Sequence, residues 1–150
     1  MGVDRLRSVL QGHRRIALDS SIFIYQLDAN PAYVAFSDIV FSCLAERTMH
    51  AVTASITLTE VLVPHYRNLD HQLVDNFYAL LSTYPNLECI SIDLEVADIA
   101  ARVRAQHNLR TPDALHAAAA LHAHATALVT NDPIFRRVRE FASIVLDDFI

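Results

Sequence analysis

A chain of 150 residues has the length of one domain and can bury a substantial core. It is 53% hydrophobic, which excludes a disordered chain, and no apolar run approaches the roughly eighteen residues a membrane span needs. The formal charge of −5 argues against a broad electrostatic nucleic-acid binder and leaves room only for a local basic rim.

Residues 4–11 have the pattern of a short amphipathic helix, so residues 1–14 are expected to form a helical extension at the start of a single domain spanning 1–150. MGVDRLRSVLQGHRR has neither a long apolar stretch nor a small-residue cleavage site, so it does not read as a secretory signal, and a cytoplasmic location is expected. Arg15 to Asp19 reads as a short buried strand. SIFIYQL continues as a helix from Ser20 or Ser21, either of which can cap it. Asn30-Pro31 breaks that helix, and Pro31 suits the first turn of the next one, running to about Arg47. Met49 to Thr53 is a second strand, and Ser55 caps a helix reaching about Tyr66. Residues 70–83 carry Leu73, Phe77, Leu80 and Leu81 on one helical face. Leu87 to Ile92 is a third strand. A helix from Asp93 to His107 follows, with Leu94, Ala97, Ala101 and Val103 partly inward. Thr111-Pro112-Asp113 is a helix start: Thr as cap, Pro at the first position, an acid in the first turn. That Ala-rich helix runs to about His124. Ala125 to Thr130, a short helix at Pro133 to Arg139, and a strand at Ser143 to Leu146 complete the chain.

Strands separated by helices imply right-handed crossovers, hence an α/β fold with a parallel sheet covered on both faces. Ligands of such sheets bind at the carboxyl ends of the strands, where the strand order switches. With order 3-2-1-4-5, the first and fourth strands are neighbours at that switch. Asp19 would end one and Asp132 lie just past the other.

The missing residue types exclude further classes. All twelve basic residues counted as Lys or Arg are Arg, so there is no Schiff-base or phosphate-clamping Lys. The only glycines are Gly2 and Gly12, so no glycine-rich phosphate loop exists. Cys43 and Cys89 have no metal-ligand spacing and read as two buried free thiols of a reducing compartment.

Four acids carry the candidate chemistry: Asp19 in IALDSSIFIY, Glu60 in ITLTEVL, Asp113 in RTPDALHAA and Asp132 in LVTNDPIF. Each alone has an ordinary structural explanation. Asp19 and Asp132 can cap helices. Glu60 can close a capping box with Thr57. Asp113 can complement a helix dipole. Together they change meaning, because two like charges ~4 Å apart repel by about 4 kcal/mol at an effective dielectric of 20. Four converging carboxylates therefore call for neutralising protons or cations. Oxygen-only donors select hard ions, chiefly Mg²⁺ or Mn²⁺.

LDSSIFIY, SITLTEVL, TPDALHAAAA and LVTNDPIF, in that order, resemble the motifs of the PIN-domain ribonucleases, most closely the VapC-like toxins of bacterial toxin–antitoxin pairs. The resemblance spans nearly the whole chain. It implies the 3-2-1-4-5 parallel sheet, a Mg²⁺- or Mn²⁺-dependent endoribonuclease, a homodimer, an RNA substrate and a cognate antitoxin. It assigns Asp19, Glu60, Asp113 and Asp132 as metal ligands or ligand positioners, with the hydroxyls of Thr130 and Ser20 supporting them. Ser21 stands where the family often has Asn, and so lacks an amide. The implied mechanism is hydrolysis of a phosphodiester by a metal-activated water.

Other residues admit two readings. His116 shares a helix face with Asp113 and either touches metal or substrate or packs nearby. Arg110, Arg137 and Arg139 flank acidic motifs and either contact RNA phosphate or form a solvated face. Tyr25, Tyr33 and Phe36 are expected in the core or a dimer interface, and Asp147 and Asp148 as solvated tail acids. Competing functions are a PIN nuclease of RNA processing outside a toxin pair and a catalytically silent RNA- or protein-binding module. A haloacid-dehalogenase-type phosphatase needs a second Asp where Ser21 stands, and a Lys this chain lacks.

Overall fold

Alternation along each strand decides which side chains meet which layer. In the computed structural model, which describes residues 1–150, β1 (Arg15–Leu18) sends Ile16 and Leu18 into one core and Ala17 into the other. β4 (Ala127–Thr130) sends Ala127 and Val129 to the first core and Leu128 to the second. With β2 (His50–Ala54), β3 (Leu87–Ile90) and β5 (Ala142–Val145) they form one sheet, ordered β3-β2-β1-β4-β5. Every pairing is parallel, with Ala17 beside Val52 on one side and Leu128 on the other. The expected α/β architecture and strand order are the ones observed.

The first core lies under α1 (Gly2–Leu10), α2 (Ser20–Leu27), α3 (Val34–Ala45), α4 (Ile56–Arg67) and α5 (His71–Thr83). Phe23 anchors it, meeting Phe41 and Phe77 edge-on at centroid distances of 5.7 and 5.8 Å. Leu6 and Leu10 are fully buried, so the amino-terminal helix is bound into this core. The second core lies under α6 (Leu94–His107) and α7 (Thr111–His122). Ala114 and Ala117 to Ala120 are all buried on α7. With almost no side chain at these positions, the α7 backbone can lie close to Ala17 and Val52 on the sheet. Phe135 of a 3₁₀ turn (Pro133–Arg137) and Phe141 close the edge of this layer.

Boundaries and caps differ in instructive ways. Of the expected cap candidates, Asp19 rather than Ser20 or Ser21 caps α2, because its carboxylate reaches the Ser21 N–H. Pro31 stays in a turn held by the Asn30 side chain on the Ala32 N–H, and α3 begins only at Val34. Arg110 occupies the cap position of α7, and Thr111 is its first residue. No Thr57–Glu60 capping box forms; Thr57 is buried and its hydroxyl meets that of Thr53 at 2.7 Å. Leu94 is 90% exposed rather than inward. Cys43 is buried as expected, but Cys89 lies exposed on the edge strand β3, and both thiols are free. Asp147 and Asp148 are not free tail acids. Asp147 accepts from the Tyr33 hydroxyl at 2.7 Å, and Asp148 pairs with Arg136.

With so few glycines, chain reversals fall to other residues. Ala29, Arg47, Leu69, Asn86, Asn108 and His124 all have φ between 49° and 61°. Five of them stand at the end of a helix, where glycine is the usual occupant.

Candidate functional site

Parallel strands bring their carboxyl ends to one edge, and the chain places its acids there. Asp19 follows β1 directly, its N–H bonded to the Val129 carbonyl of β4 at 3.2 Å. Its side chain is 6% exposed. Oδ1 accepts from the Ser21 N–H at 3.1 Å and from the Ser21 hydroxyl, and Oδ2 accepts from the Thr130 hydroxyl. Burial pushes the Asp19 carboxyl above the usual carboxylate range, against the opposing pull of those hydrogen bonds. Neutral donors thus orient a carboxylate that no contacting cation neutralises. Ser21, which lacks the amide of an Asn, still donates to Asp19 through its hydroxyl.

Thr130, fully buried at the end of β4, joins two of the acids. Its hydroxyl donates to Asp19 and accepts from the Asp132 N–H at 3.0 Å. Asp132 caps the 3₁₀ turn through the Ile134 N–H, also at 3.0 Å. Asn131 between them donates to the Tyr25 hydroxyl at 3.1 Å, and the Tyr25 and Tyr33 rings stack at 4.4 Å.

The other two acids come from helices. Asp113 is buried in the first turn of α7, 3.3 Å from Nε of Arg110. Glu60 stands in the second turn of α4 and meets Nε2 of His116 at 2.6 Å. That hydrogen bond is the main reason its carboxyl lies below the usual range, with the nearby Ser20 hydroxyl and the charge of Arg110 acting in the same direction. His116 also favours ionised Asp19 electrostatically, so the groups form one neighbourhood. They are not drawn tightly together: no three His, Cys, Asp or Glu groups converge at metal-ligand spacing. The donor chemistry nevertheless fits a hard divalent cation. It offers carboxylates and hydroxyls, with Asp19 buried and the Glu60 carboxyl held below its usual range.

The arginines divide. Arg110 is largely exposed beside Asp113. Arg137 donates to the Asn108 carbonyl at the end of α6, at 3.0 Å. Arg136, Arg137 and Arg139 line an open polar groove of about 640 Å³ with Gln106, His107 and Asn108. Arg139 also borders Thr126 and Ala142 at the amino ends of β4 and β5, the edge opposite Asp19. The direct partner of Glu60, His116, was read from sequence as sharing a helix face with Asp113 and either touching metal or substrate or packing nearby, with no partner named. Its i,i+3 spacing was the available signal, and the partner on α4 was invisible.

Comparison with solved structures finds the same fold in three complexes. The VapBC2 structure from Rickettsia felis, bound to a DNA fragment from its promoter, aligns with TM-score 0.68 at 21% identity, covering 86% of this chain and 96% of that one. A toxin–antitoxin complex from Klebsiella pneumoniae gives 0.65 at 19%, covering 85% and 95%. FitAcB from Neisseria gonorrhoeae gives 0.63 at 19%, covering 87% and 97%. A search of curated proteins returns no match. The PIN domain family model matches residues 16–141, from β1 to the threshold of β5 and across all four acids, and the chain therefore belongs to the PIN-domain family.

Proposed function

We propose that the chain is a divalent-metal-dependent endoribonuclease and the toxin of a toxin–antitoxin pair. The observation that carries this reading is the Asp19–Thr130–Asp132 relay at the switch between β1 and β4. Family membership supports nuclease chemistry, and the resemblance of the fold to proteins in toxin–antitoxin complexes supports an antitoxin partner.

Asp19, Glu60, Asp113 and Asp132 would hold Mg²⁺ or Mn²⁺. Such an ion supplies Lewis acidity to a phosphoryl oxygen and lowers the pKa of a nearby water. The chain's own residues do the positioning. Ser21 and Thr130 hold the two oxygens of Asp19 in place, His116 holds Glu60, and the Asp132 backbone is tied to Thr130. Water adds to phosphorus as the bond to the leaving ribose oxygen breaks. In this reading Arg110, beside Asp113, and Arg137, at the end of α6, contact RNA phosphate, while Arg139 reaches toward the opposite edge of the sheet. Leu58, Leu62, Val63, Tyr66 and Tyr78 leave an apolar patch on α4 and α5, which supports contact with an antitoxin segment or a second copy in a cytoplasmic homodimer.

The test is cleavage of total bacterial RNA by the purified protein. Discrete products with Mn²⁺ or Mg²⁺ are expected, lost with EDTA and with Asp132→Asn. Cleavage that survives both refutes the reading.

A further inference from the structure

His116 is the one large polar side chain among the buried alanines of α7. It is 4% exposed, one helical turn beyond Asp113, and its Nε2 reaches Glu60 on α4 at 2.6 Å. An ionised carboxylate only accepts hydrogen bonds, so Nε2 carries the proton and donates. The other ring nitrogen, Nδ1, is buried with no partner. An imidazole that leaves a buried nitrogen unpaired is poorly suited to mere packing, since an apolar side chain of similar size would avoid that cost. What the residue gains is a single directed bond to one oxygen of Glu60, tying α4 to the helix that carries Asp113.

We propose that His116 is a positioning residue for the cation site, fixing the Glu60 carboxylate through Oε1 and leaving its second oxygen free to take a cation. The inference rests on the proposed reading of Glu60 as part of that site. Without the bond, Glu60, whose side chain is 35% exposed, turns toward water. Hydrogen bonds that orient ligating carboxylates typically change metal affinity by roughly 10- to 100-fold when removed.

The experiment is Mn²⁺ binding by calorimetry, with a thermal melt for every variant. The set is the unaltered chain, His116→Leu, His116→Gln, Glu60→Gln, and Glu60→Gln combined with His116→Leu. Leu is close to imidazole in size, and Glu60 can reach solvent, so the fold is expected to survive. His116→Leu should weaken Mn²⁺ binding by roughly 10- to 100-fold. His116→Gln, which keeps a donor at nearly the same place, should restore most of it. The double variant should bind no more weakly than Glu60→Gln alone, because His116 acts through Glu60. Unchanged binding in His116→Leu, additive losses in the double variant, or no rescue by Gln in an equally stable protein each overturn the inference and leave the cation site standing. Absence of Mn²⁺ binding by the unaltered chain overturns the cation site and the inference with it.

Discussion

Replacing Asp19 by Asn should end cleavage yet leave the metal-free protein at least as stable. Asp19 is buried at 6% exposure and its carboxyl is pushed up by desolvation. The folded state therefore binds that proton more tightly than the unfolded chain, whose Asp titrates near 3.9. The stability this brings is complete below the unfolded value and is lost as pH rises through the folded one. Each tenfold change in proton affinity is worth about 1.4 kcal/mol. Asn carries no charge and escapes this loss. Its cost lies at Thr130, whose hydroxyl now faces an amide and must redirect its proton, about 1 kcal/mol for the altered hydrogen bond. The Ser21 donors remain served by the Asn oxygen. Thermal melts in EDTA from pH 4 to 8 should show the variant equal to or above the unaltered chain at neutral pH, with the advantage shrinking toward pH 4. At this size 1 kcal/mol moves Tm by about 2–4 °C. Adding Mn²⁺ at about a hundred times its Kd should stabilise the unaltered chain by about 2.7 kcal/mol and the variant far less. A variant less stable at pH 7 in EDTA, or equally stabilised by Mn²⁺, would refute the argument.

Four further outcomes are expected. Thr130→Val keeps the shape but strands a buried Asp19 oxygen, so urea unfolding should show a loss of about 1–3 kcal/mol. Asp132→Asn should abolish RNA cleavage with the thermal midpoint nearly unchanged, since an amide oxygen can still cap Ile134; retained cleavage in a folded variant counts against the site. Phe23→Ala removes a fully buried ring from the first core and should cost about 3–5 kcal/mol by denaturant titration. Arg137→Ala should weaken RNA binding and lower the slope of log affinity against log salt by about one, as for a single lost phosphate contact; an unchanged slope removes Arg137 from the RNA surface.

Much of this molecule was legible because short-range rules were enough. Short apolar runs such as Ile16-Ala17-Leu18 announced buried strands, and Pro112-Asp113 announced a helix start. Alternation of strands and helices then fixed a parallel sheet and its acid-bearing edge. What stayed hidden depends on contacts distant in sequence. Nothing local says that Glu60 meets His116 fifty-six residues away rather than Thr57 three residues back. Nothing local gives Asp147 to Tyr33 across 114 positions. Caps stayed open where adjacent side chains could each serve, as at Asp19, Ser20 and Ser21, because the choice depends on backbone angles there. Leu94 was assigned inward by helical spacing, but it is the first residue after the Asp93 cap and no layer covers it.

The left-handed residues at helix ends have a consequence for engineering. A residue with a Cβ in that conformation costs roughly 1–2 kcal/mol relative to a right-handed one, and glycine is nearly free of the penalty. Leu69 is 74% exposed with φ of 53°, and its side chain offers little packing in return. Ala29 and His124 are also exposed. Glycine at these three sites would relieve backbone strain without touching the acidic edge. The chain thus carries a removable reserve of instability at its surface, and variants that weaken the site could be rescued for study by substitutions far from it.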